Sequence, residues 1–198
     1  MKKGYKLYLE TERLILRNFR RNDSTDLYEY LSDRENVKFE PYDILSLRDC
    51  KNEARLREKN FSYIACELKE SGKMIGNLYF NQTMPYEYLT WELGYIFNPK
   101  YHKRGFATEA SAKVLEYGFD VLGVRRVIAN CDVKNLPSAG VMERLQMRLE
   151  KCSKEELFFK RDCTGKPIYK DTLQYAILKK EFDEKREAGL YKPENLFK

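Results

Sequence analysis

The chain has 198 residues, of which 42% are hydrophobic, 14% aromatic and 34% charged. A chain of this length is typical of one domain, and it buries roughly 70% of its unfolded surface when it folds. Its formal net charge is +6, with charges of both signs interleaved along the chain. This pattern is typical of a solvated surface and argues against a nucleic-acid-binding protein, in which Lys and Arg would form a concentrated stripe.

The cysteines and the single histidine, His102, limit the chemistry that the chain can carry. The five cysteines are scattered and form no C-x-x-C pair, so we expect free thiols in a reducing compartment and no bound metal. The N-terminal residues MKKGYKLYLETERL contain no apolar core, and no stretch approaches 18 apolar residues. We therefore expect a cytoplasmic protein with no membrane partner.

The first half of the chain predicts a strand, two helices and then three strands. Residues 13–19 alternate apolar and polar side chains, which predicts the first strand. A helix is predicted after Asp23 as its N-cap, and a second one from Ser46 to about Asn60. Three runs rich in β-branched and aromatic residues then predict an antiparallel meander: 61–68, 73–82 and 88–97.

The second half returns to helical spacing. Apolar residues recur every three or four positions from Ala107 to Val121, which predicts a helix that buries this stripe and ends before Gly123. The elements predicted after it are a strand over 125–133, a short helix over 135–145, a long hairpin of two strands that turns at 163–166, and a tail that is helical at least to Glu187.

This order of elements predicts an α/β protein of the α+β type. We expect a mixed, mostly antiparallel central sheet of about seven strands flanked by helices. No linker, repeat or low-complexity segment interrupts the chain, so we expect a single domain over residues 1–198, with its core at about 9–180 and a charged tail at 181–198.

The segment NPKYHKRGFATEA (98–110) is the first candidate for a binding site. A helix that begins near Phe106 leaves its first backbone N–H groups without partners, and Gly105 allows a ligand to approach the backbone closely. Lys103 and Arg104 add positive charge where an anion would bind. A basic loop before a helix is also common on solvated surfaces, so these residues alone leave both interpretations open.

The order of motifs resembles the GNAT N-acetyltransferase superfamily, and its RimJ/RimL-type branch in particular. His102-x-x-Gly105-x-Ala107, followed by Thr108-Glu109-Ala110, resembles the loop of form [Q/R]-x-x-G-x-[G/A] that clasps the pyrophosphate of coenzyme A in that family. The block VRRVIANCDVKNLPSAGVMERLQM matches the N-x-x-S pattern of the branch. TERLILR (11–17) and KDTLQYAIL (170–178) resemble its first and last strands, so the likeness spans about residues 9–180.

The resemblance implies the GNAT-like acyl-CoA N-acyltransferase fold and an enzyme that moves an acetyl group from acetyl-CoA to a primary amine. The amine would belong to a protein N-terminus or a small molecule, and it would attack the thioester directly. The resemblance also implies a set of residues that contact the cofactor: Ile96, Phe97, His102, Lys103, Arg104, Gly105, Phe106, Ala107, Thr108, Asn135 and Ser138.

Two residues are candidates for the chemistry. Glu92, on the strand beside the thioester in the family, is the first candidate for general base, and Ser138 is the candidate acid on the thiol side. Each also has a structural alternative: Glu92 as a solvent-facing strand carboxylate, and Ser138 as an ordinary first-turn helix residue. Asn135 would contact the pantetheine arm, although a helix cap has the same signature.

Several positions depart from the pattern of the branch. Lys103 and Gln146 replace glycines, His102 replaces Gln, Arg or Trp, and Met142 stands where many relatives have a tyrosine. An acceptor pocket is predicted from an aromatic set: Phe39, Tyr42, Tyr86, Tyr88 and Trp91. Core packing is the alternative for at least half of that set. The final hairpin offers a free edge that favours a homodimer, and a non-catalytic acyl-CoA-binding or sensing module remains the alternative function.

Overall fold

The structure is a computed structural model that describes residues 7–192. Its strands are β1 (Tyr8–Glu10), β2 (Leu14–Asn18), β3 (Tyr63–Leu68), β4 (Met74–Gln82), β5 (Thr90–Phe97), β6 (Arg126–Asp132), β7 (Arg148–Arg161) and β8 (Pro167–Leu178). They form one sheet in the order β1-β2-β3-β4-β5-β6-β8-β7, antiparallel except for the β5–β6 pair. The predicted fold class is therefore confirmed. The sheet has eight strands rather than about seven because Tyr8–Glu10 also pairs with β2.

Five helices cover the two faces of the sheet. They are α1 (Ser24–Leu31), α2 (Leu47–Lys59), α3 (Phe106–Asp120), α4 (Leu136–Arg144) and α5 (Lys179–Glu187). One buried cluster joins α1 and α2 to one face, and a larger cluster joins α3, α4 and α5 to the other. We call these the α1–α2 face and the α3–α4 face. None of the helices found between residues 7 and 192 is long and apolar enough to span a bilayer.

One local prediction holds in position only, and another is wrong. Asp23 is the N-cap residue of α1, as predicted, but its side chain makes no cap hydrogen bond. Its carboxylate instead accepts two hydrogen bonds from the buried Arg17 guanidinium, at 2.8 Å each, and one from the Arg20 N–H at 2.7 Å. A buried guanidinium needs a carboxylate partner, so the Asp23 side chain turns toward Arg17 and away from the first turn of α1. Val121 is 64% exposed, since α3 ends at Asp120 before the predicted stripe is complete.

The central feature of the sheet is a divergence between β5 and β6. These parallel strands pair only over Thr90–Glu92 and Arg126–Ile128. Beyond Glu92, β5 stays paired with β4 as far as Phe97, and β6 stays paired with β8 as far as Asp132. A cleft therefore opens in the middle of the sheet, closed at the Glu92 end and open at the Phe97 end.

Two residues that replace glycines of the resembled branch adopt the glycine conformation. Lys103 and Gln146 both have φ of 58°. The Gln146 N–H donates to the Glu143 carbonyl at 2.9 Å, so the residue ends α4 as a left-handed C-terminal residue. The left-handed conformation costs about 1–2 kcal/mol at each position for a side chain with a Cβ.

Candidate functional site

The backbone of β5 presents alternate residues to the cleft. The Asn98 N–H donates to the Ile75 carbonyl of the β4 side at 2.8 Å, whereas the Leu89 carbonyl accepts from the Arg126 N–H of the β6 side at 3.3 Å. Since successive residues of a strand alternate in direction, even-numbered residues face β4 and odd-numbered ones face β6. The backbone groups that face the cleft beyond the last β5–β6 pair therefore belong to Leu93, Tyr95 and Phe97, and among them the Phe97 carbonyl is paired with the His102 ring.

This alternation separates two of the predicted cofactor contacts. The Phe97 backbone faces the cleft, but the Ile96 backbone faces β4. The Ile96 side chain is 8% exposed and packs into the buried cluster of the α1–α2 face. Phe97 thus lines the cleft with its backbone. Ile96, its neighbour on the same strand, instead packs its side chain against the α1–α2 face.

Free backbone donors lie at the open end of the cleft. Gly105, with φ of 78°, is the N-cap of α3, and the first amide bonded within this turn is that of Glu109, which donates to the Gly105 carbonyl at 2.9 Å. In the described part of the chain, none of the N–H groups of residues 103–108 donates a hydrogen bond to another residue. The predicted start of the helix and its free amides are therefore present, immediately after the strand that lines the cleft.

The loop that leads to these amides is held by side chains at its start. Asn98 is 1% exposed, and its amide donates to the Glu29 carboxylate of α1 at 3.0 Å. The His102 ring nitrogen Nε2 lies 2.9 Å from the Phe97 carbonyl oxygen and is paired with it. His102 therefore braces the loop against the end of β5. At the helix start, the Thr108 hydroxyl accepts from Arg144 of α4 at 3.2 Å, which joins α3 to α4.

A buried carboxylate fixes the first turn of α3 to the beginning of β2. Glu109, 4% exposed, accepts from the Thr11 hydroxyl at 2.6 Å, from the Arg13 N–H at 2.9 Å and from Arg13 Nε at 2.7 Å. The Arg13 guanidinium also lies 4.3 Å from the centroid of the Phe106 ring, and the Arg104 guanidinium lies 5.0 Å from it. Two guanidinium groups therefore flank Phe106 beside the free amides. The sequence reasoning missed Arg13, because it lies far from the loop along the chain.

Ser138 meets an unexpected partner. The Tyr95 hydroxyl reaches from β5 to the first turn of α4, where it donates to the Ser138 carbonyl at 2.8 Å and lies 3.0 Å from Ser138 Oγ. Burial raises the pKa of Tyr95 well above its usual value. Asn135 Oδ1 accepts from the Ser138 N–H at 3.3 Å, so Asn135 caps α4. Met142, in the position where relatives have tyrosine, is fully buried. Tyr95 thus brings a phenol from the strand to the same region.

Glu92 begins a row of polar side chains across three strands. Its carboxylate accepts from the Asn130 amide of β6 at 2.9 Å, and Asn130 in turn accepts from the Gln174 amide of β8 at 3.1 Å. Glu92 lies at the closed end of the cleft, on the α1–α2 face. Gly94 follows on the same face and leaves no side chain above the strand.

The aromatic residues predicted to line an acceptor pocket lie in three different places. Phe39 and Tyr42 lie on the α1–α2 face of the cleft. Trp91 packs on Phe80 in the core, with ring centroids 4.9 Å apart. The other two are more than half exposed in a turn before β5, away from the open end of the cleft: Tyr86 and Tyr88.

All five cysteines are free thiols, three of them buried. Burial raises the pKa of Cys50 and of Cys131 to about 11, which leaves both protonated at neutral pH. Across residues 7–192, no group of three or more His, Cys, Asp or Glu side chains is arranged to hold a metal ion.

Comparison with known protein families gives a match over most of the chain. Residues 13–148, more than half of the chain, match the family described as Acetyltransferase (GNAT) domain. A protein of Bacillus subtilis (strain 168), named as the uncharacterized N-acetyltransferase YnaD, is 33% identical over 181 residues, which make up 89% of this chain and 100% of the relative.

Solved structures agree with this match. A GNAT-family acetyltransferase from Bacillus anthracis has a TM-score of 0.80 and 30% identity, over 88% of this chain and 100% of that one. A spermidine N-acetyltransferase from Vibrio cholerae, solved in complex with CoA and spermine, shares the fold with a TM-score of 0.71 at 18% identity, over 87% of this chain and 99% of that one. The chain therefore belongs to the GNAT acetyltransferase family.

Proposed function

We propose that this protein is an acetyl-CoA-dependent N-acetyltransferase of the RimJ/RimL type, which acetylates a primary amine on a protein N-terminus or a small molecule. The observation that carries the proposal is the cluster of free backbone N–H groups at residues 103–108, at the open end of a cleft within the sheet. GNAT proteins use acetyl-CoA, whose pyrophosphate is the kind of anion that a helix N-terminus binds.

The residues around this cluster fit that cofactor. The amides of residues 103–108 would hold the pyrophosphate, and Lys103, Arg104 and Arg13 would supply positive charge beside it. The cleft-facing backbone of Tyr95 and Phe97 would hydrogen-bond the amides of the pantetheine arm. Asn135 would contact the same arm from the start of α4. When bound, acetyl-CoA supplies the activated acyl group.

The acceptor nitrogen must lose a proton before or during attack. A lysine-like amine is almost fully protonated at pH 7, and freeing it takes about 4.6 kcal/mol, whereas a peptide α-amine takes about 1 kcal/mol. We assign proton acceptance to Glu92, whose carboxylate is held by Asn130 on the α1–α2 face. Glu92 takes one proton from the ammonium, directly or through water, and the neutral nitrogen then forms its bond to the acetyl carbon. As the carbon–sulfur bond breaks, the nitrogen releases its second proton to water, which leaves a neutral amide and the thiolate of CoA.

The negative charge that develops on the acetyl oxygen needs a donor in the cleft. The Tyr95 N–H is one of the few backbone donors that point there, so we assign it this role. We assign stabilisation of the departing sulfur to the Ser138 hydroxyl, which lies beside the Tyr95 hydroxyl. Because burial raises the pKa of Tyr95, its phenol keeps its proton next to a thiolate with an ordinary pKa near 8.5. The pair therefore stabilises the thiolate by hydrogen bonding, and water protonates it later.

The test is release of free CoA in the presence of primary amines, together with calorimetric titration of acetyl-CoA. Mass-spectrometric detection of the acetylated amine avoids interference from the two exposed thiols, Cys152 and Cys163, in a thiol-reactive assay. Binding of acetyl-CoA with turnover of at least one amine supports the proposal. Binding without turnover across a broad amine panel supports the non-catalytic module, and absence of binding refutes both.

A pH–rate profile tests the assigned roles. Glu92→Gln removes the proton acceptor while keeping its shape, so turnover should fall by roughly 10²–10⁴ at neutral pH and recover in part as the pH rises, because more of the amine is then neutral. Ser138→Ala should lose turnover at every pH, since its defect lies at the departing sulfur. Wild-type turnover of Glu92→Gln across the range would leave Glu92 as a solvent-facing strand residue.

A further inference from the structure

The acidic and basic residues of α2 are mixed along the sequence but separated on the folded helix. At 3.6 residues per turn, the exposed basic residues lie within about 80° of arc, in a row about 16 Å long. We call this the α2 row: Arg48, Lys51, Arg55 and Lys59. The buried residues of the helix lie outside this sector: Cys50, Ala54 and Arg57. The helix therefore carries a concentrated basic stripe that the linear sequence does not show.

Each acidic residue of α2 already has a partner outside the α2 row. Glu53 accepts from the buried Arg57 at 3.0 Å. Glu58 accepts from Arg21, in the turn before α1, at 2.8 Å. The Asp49 carboxylate belongs to the capping box at the start of the helix. Within residues 7–192, no side chain of the α2 row forms an ion pair or a side-chain hydrogen bond, so all of its charges are left without a direct partner.

The α2 row leads to a cavity at the C-terminal end of the helix. Lys59, the last residue of the row, lines an open cavity of about 260 Å³. The other lining residues follow it in the chain or come from β4 and β5: Asn60, Phe61, Ser62, Asn81 and Trp91. Sites for drug-sized molecules measure about 300–1,000 Å³, so this cavity suits a single planar ring better than a larger ligand.

The walls of the cavity combine aromatic rings with free amide donors. Phe61 and Trp91 are both half-buried, so each exposes part of its ring. Asn60 Oδ1 accepts from the Ser62 N–H at 3.1 Å, and Asn81 Oδ1 accepts from the Ser62 hydroxyl at 3.0 Å. Neither amide nitrogen donates to another described residue, so both can donate to a ligand. A nucleobase offers what these groups need, a flat π-face and an edge that carries hydrogen-bond acceptors.

The row and the cavity together fit a nucleic-acid strand better than a protein partner. The phosphodiester backbone repeats one negative charge per nucleotide, which complements a row of cations. Protein–protein interfaces instead have an apolar centre and are depleted of Lys, whereas the α2 row has no apolar member and the exposed Leu56 only borders it. A duplex keeps its bases stacked inside, but loops and ends of RNA offer unstacked bases that aromatic side chains bind.

We propose that α2 is a binding surface for single-stranded RNA, in which the α2 row contacts consecutive phosphates and the cavity beside Lys59 receives one base. The base stacks on Phe61 or Trp91 and accepts hydrogen bonds from the amides of Asn60 and Asn81. This surface includes none of the residues assigned to acetyl transfer. The inference therefore goes beyond the proposed function and does not depend on it.

The experiment measures fluorescence anisotropy of a labelled RNA single strand of about 12 nucleotides over a series of salt concentrations. Four proteins are compared: wild type, Lys51→Gln/Arg55→Gln, Phe61→Ala and Lys166→Gln/Lys180→Gln. The last is the matched control, because it removes the same charge from exposed lysines outside α2, in the β7–β8 turn and in α5. Each titration is repeated with acetyl-CoA in excess, and thermal unfolding reports whether each variant keeps its fold.

We expect the logarithm of the wild-type affinity to fall with the logarithm of salt with a slope of about −3, since each phosphate contact contributes about −0.7. Lys51→Gln/Arg55→Gln should reduce the slope to about −1.5 and weaken binding by about tenfold or more at low salt. Phe61→Ala should weaken binding by about fivefold or more at an unchanged slope, because it removes stacking and no charge. The control double variant and the addition of acetyl-CoA should change neither quantity.

Several results would overturn the inference. Absence of wild-type binding at low salt rejects it outright, and equal weakening by the two double variants means that net charge alone attracts the RNA. Displacement of the RNA by acetyl-CoA places it on the cofactor loop. Equal affinity for duplex RNA, or full affinity of a folded Phe61→Ala, rejects the base in the cavity. Competition by polyglutamate as strong as that of unlabelled RNA at equal charge assigns the α2 row to an acidic protein partner.

Discussion

The backbone conformation of Gly105 provides a direct test of the cofactor loop. Gly105 has φ of 78° and ψ of 0°, a left-handed conformation that costs a residue with a Cβ about 1–2 kcal/mol. In Gly105→Ala the free loop can escape this strain by moving its amides, and binding must then restore their positions. We therefore expect acetyl-CoA affinity to fall by roughly 5- to 30-fold, the same free energy expressed as a binding constant.

Gly123 supplies the matched control for this prediction. It has φ of 68°, and no atom lies within 4 Å of the Cβ that Gly123→Ala would add, so the strain is similar, but it lies in the turn between α3 and β6. Gly123→Ala should lower the unfolding temperature and leave acetyl-CoA binding unchanged. Calorimetric titration of both variants decides the matter. Equal affinity of Gly105→Ala and wild type, or equal weakening by the two variants, would refute the assignment of the loop.

Three further predictions concern stability, each measured by denaturant unfolding against wild type. Gln146→Gly should raise the unfolding free energy by about 1 kcal/mol, because it relieves a φ of 58°; a loss would mean that the Gln146 side chain stabilises the end of α4. Gly118→Ala should destabilise despite the better helix propensity of alanine, since its Cβ would lie 2.7 Å from the buried Phe80 ring; a gain would show that the ring moves freely. Glu109→Gln should cost about 3 kcal/mol, as for a broken buried ion pair with Arg13, and a change below about 1 kcal/mol would contradict that role.

The order of elements could be predicted from the sequence because it depends on local patterns. Period-two and period-three-to-four spacing identified most strands and helices, and Gly105 and Asn135 indicated the starts of α3 and α4. β1 escaped prediction because three residues are too few to show a period. Asp23 has a sequence signature typical of a helix cap, but a more demanding partner, the buried Arg17, determines its position.

The candidate site also has a part that the sequence predicts and a part that it does not. The loop could be predicted because its glycine, its charges and its helix are contiguous in the chain. Tyr95 could not, because it acquires its importance from a residue far away in sequence, Ser138 in the first turn of α4. A strand tyrosine has no sequence pattern that distinguishes it from an ordinary surface or core residue.

The divergence of β5 and β6 also determines how the domain is held together. The two halves of the sheet, β1–β5 and β6–β8, share only three register pairs, Thr90–Glu92 with Arg126–Ile128. Inside the cleft each half presents an unpaired strand edge, a structure that in other proteins recruits further strands. An extended ligand with its own amide groups would fill the place of the missing strand, so such a ligand would join two halves that the polypeptide itself leaves only partly connected. Amide hydrogen exchange at Tyr95 and Phe97 would then slow when the ligand binds, and the sheet would open as one unit instead of two.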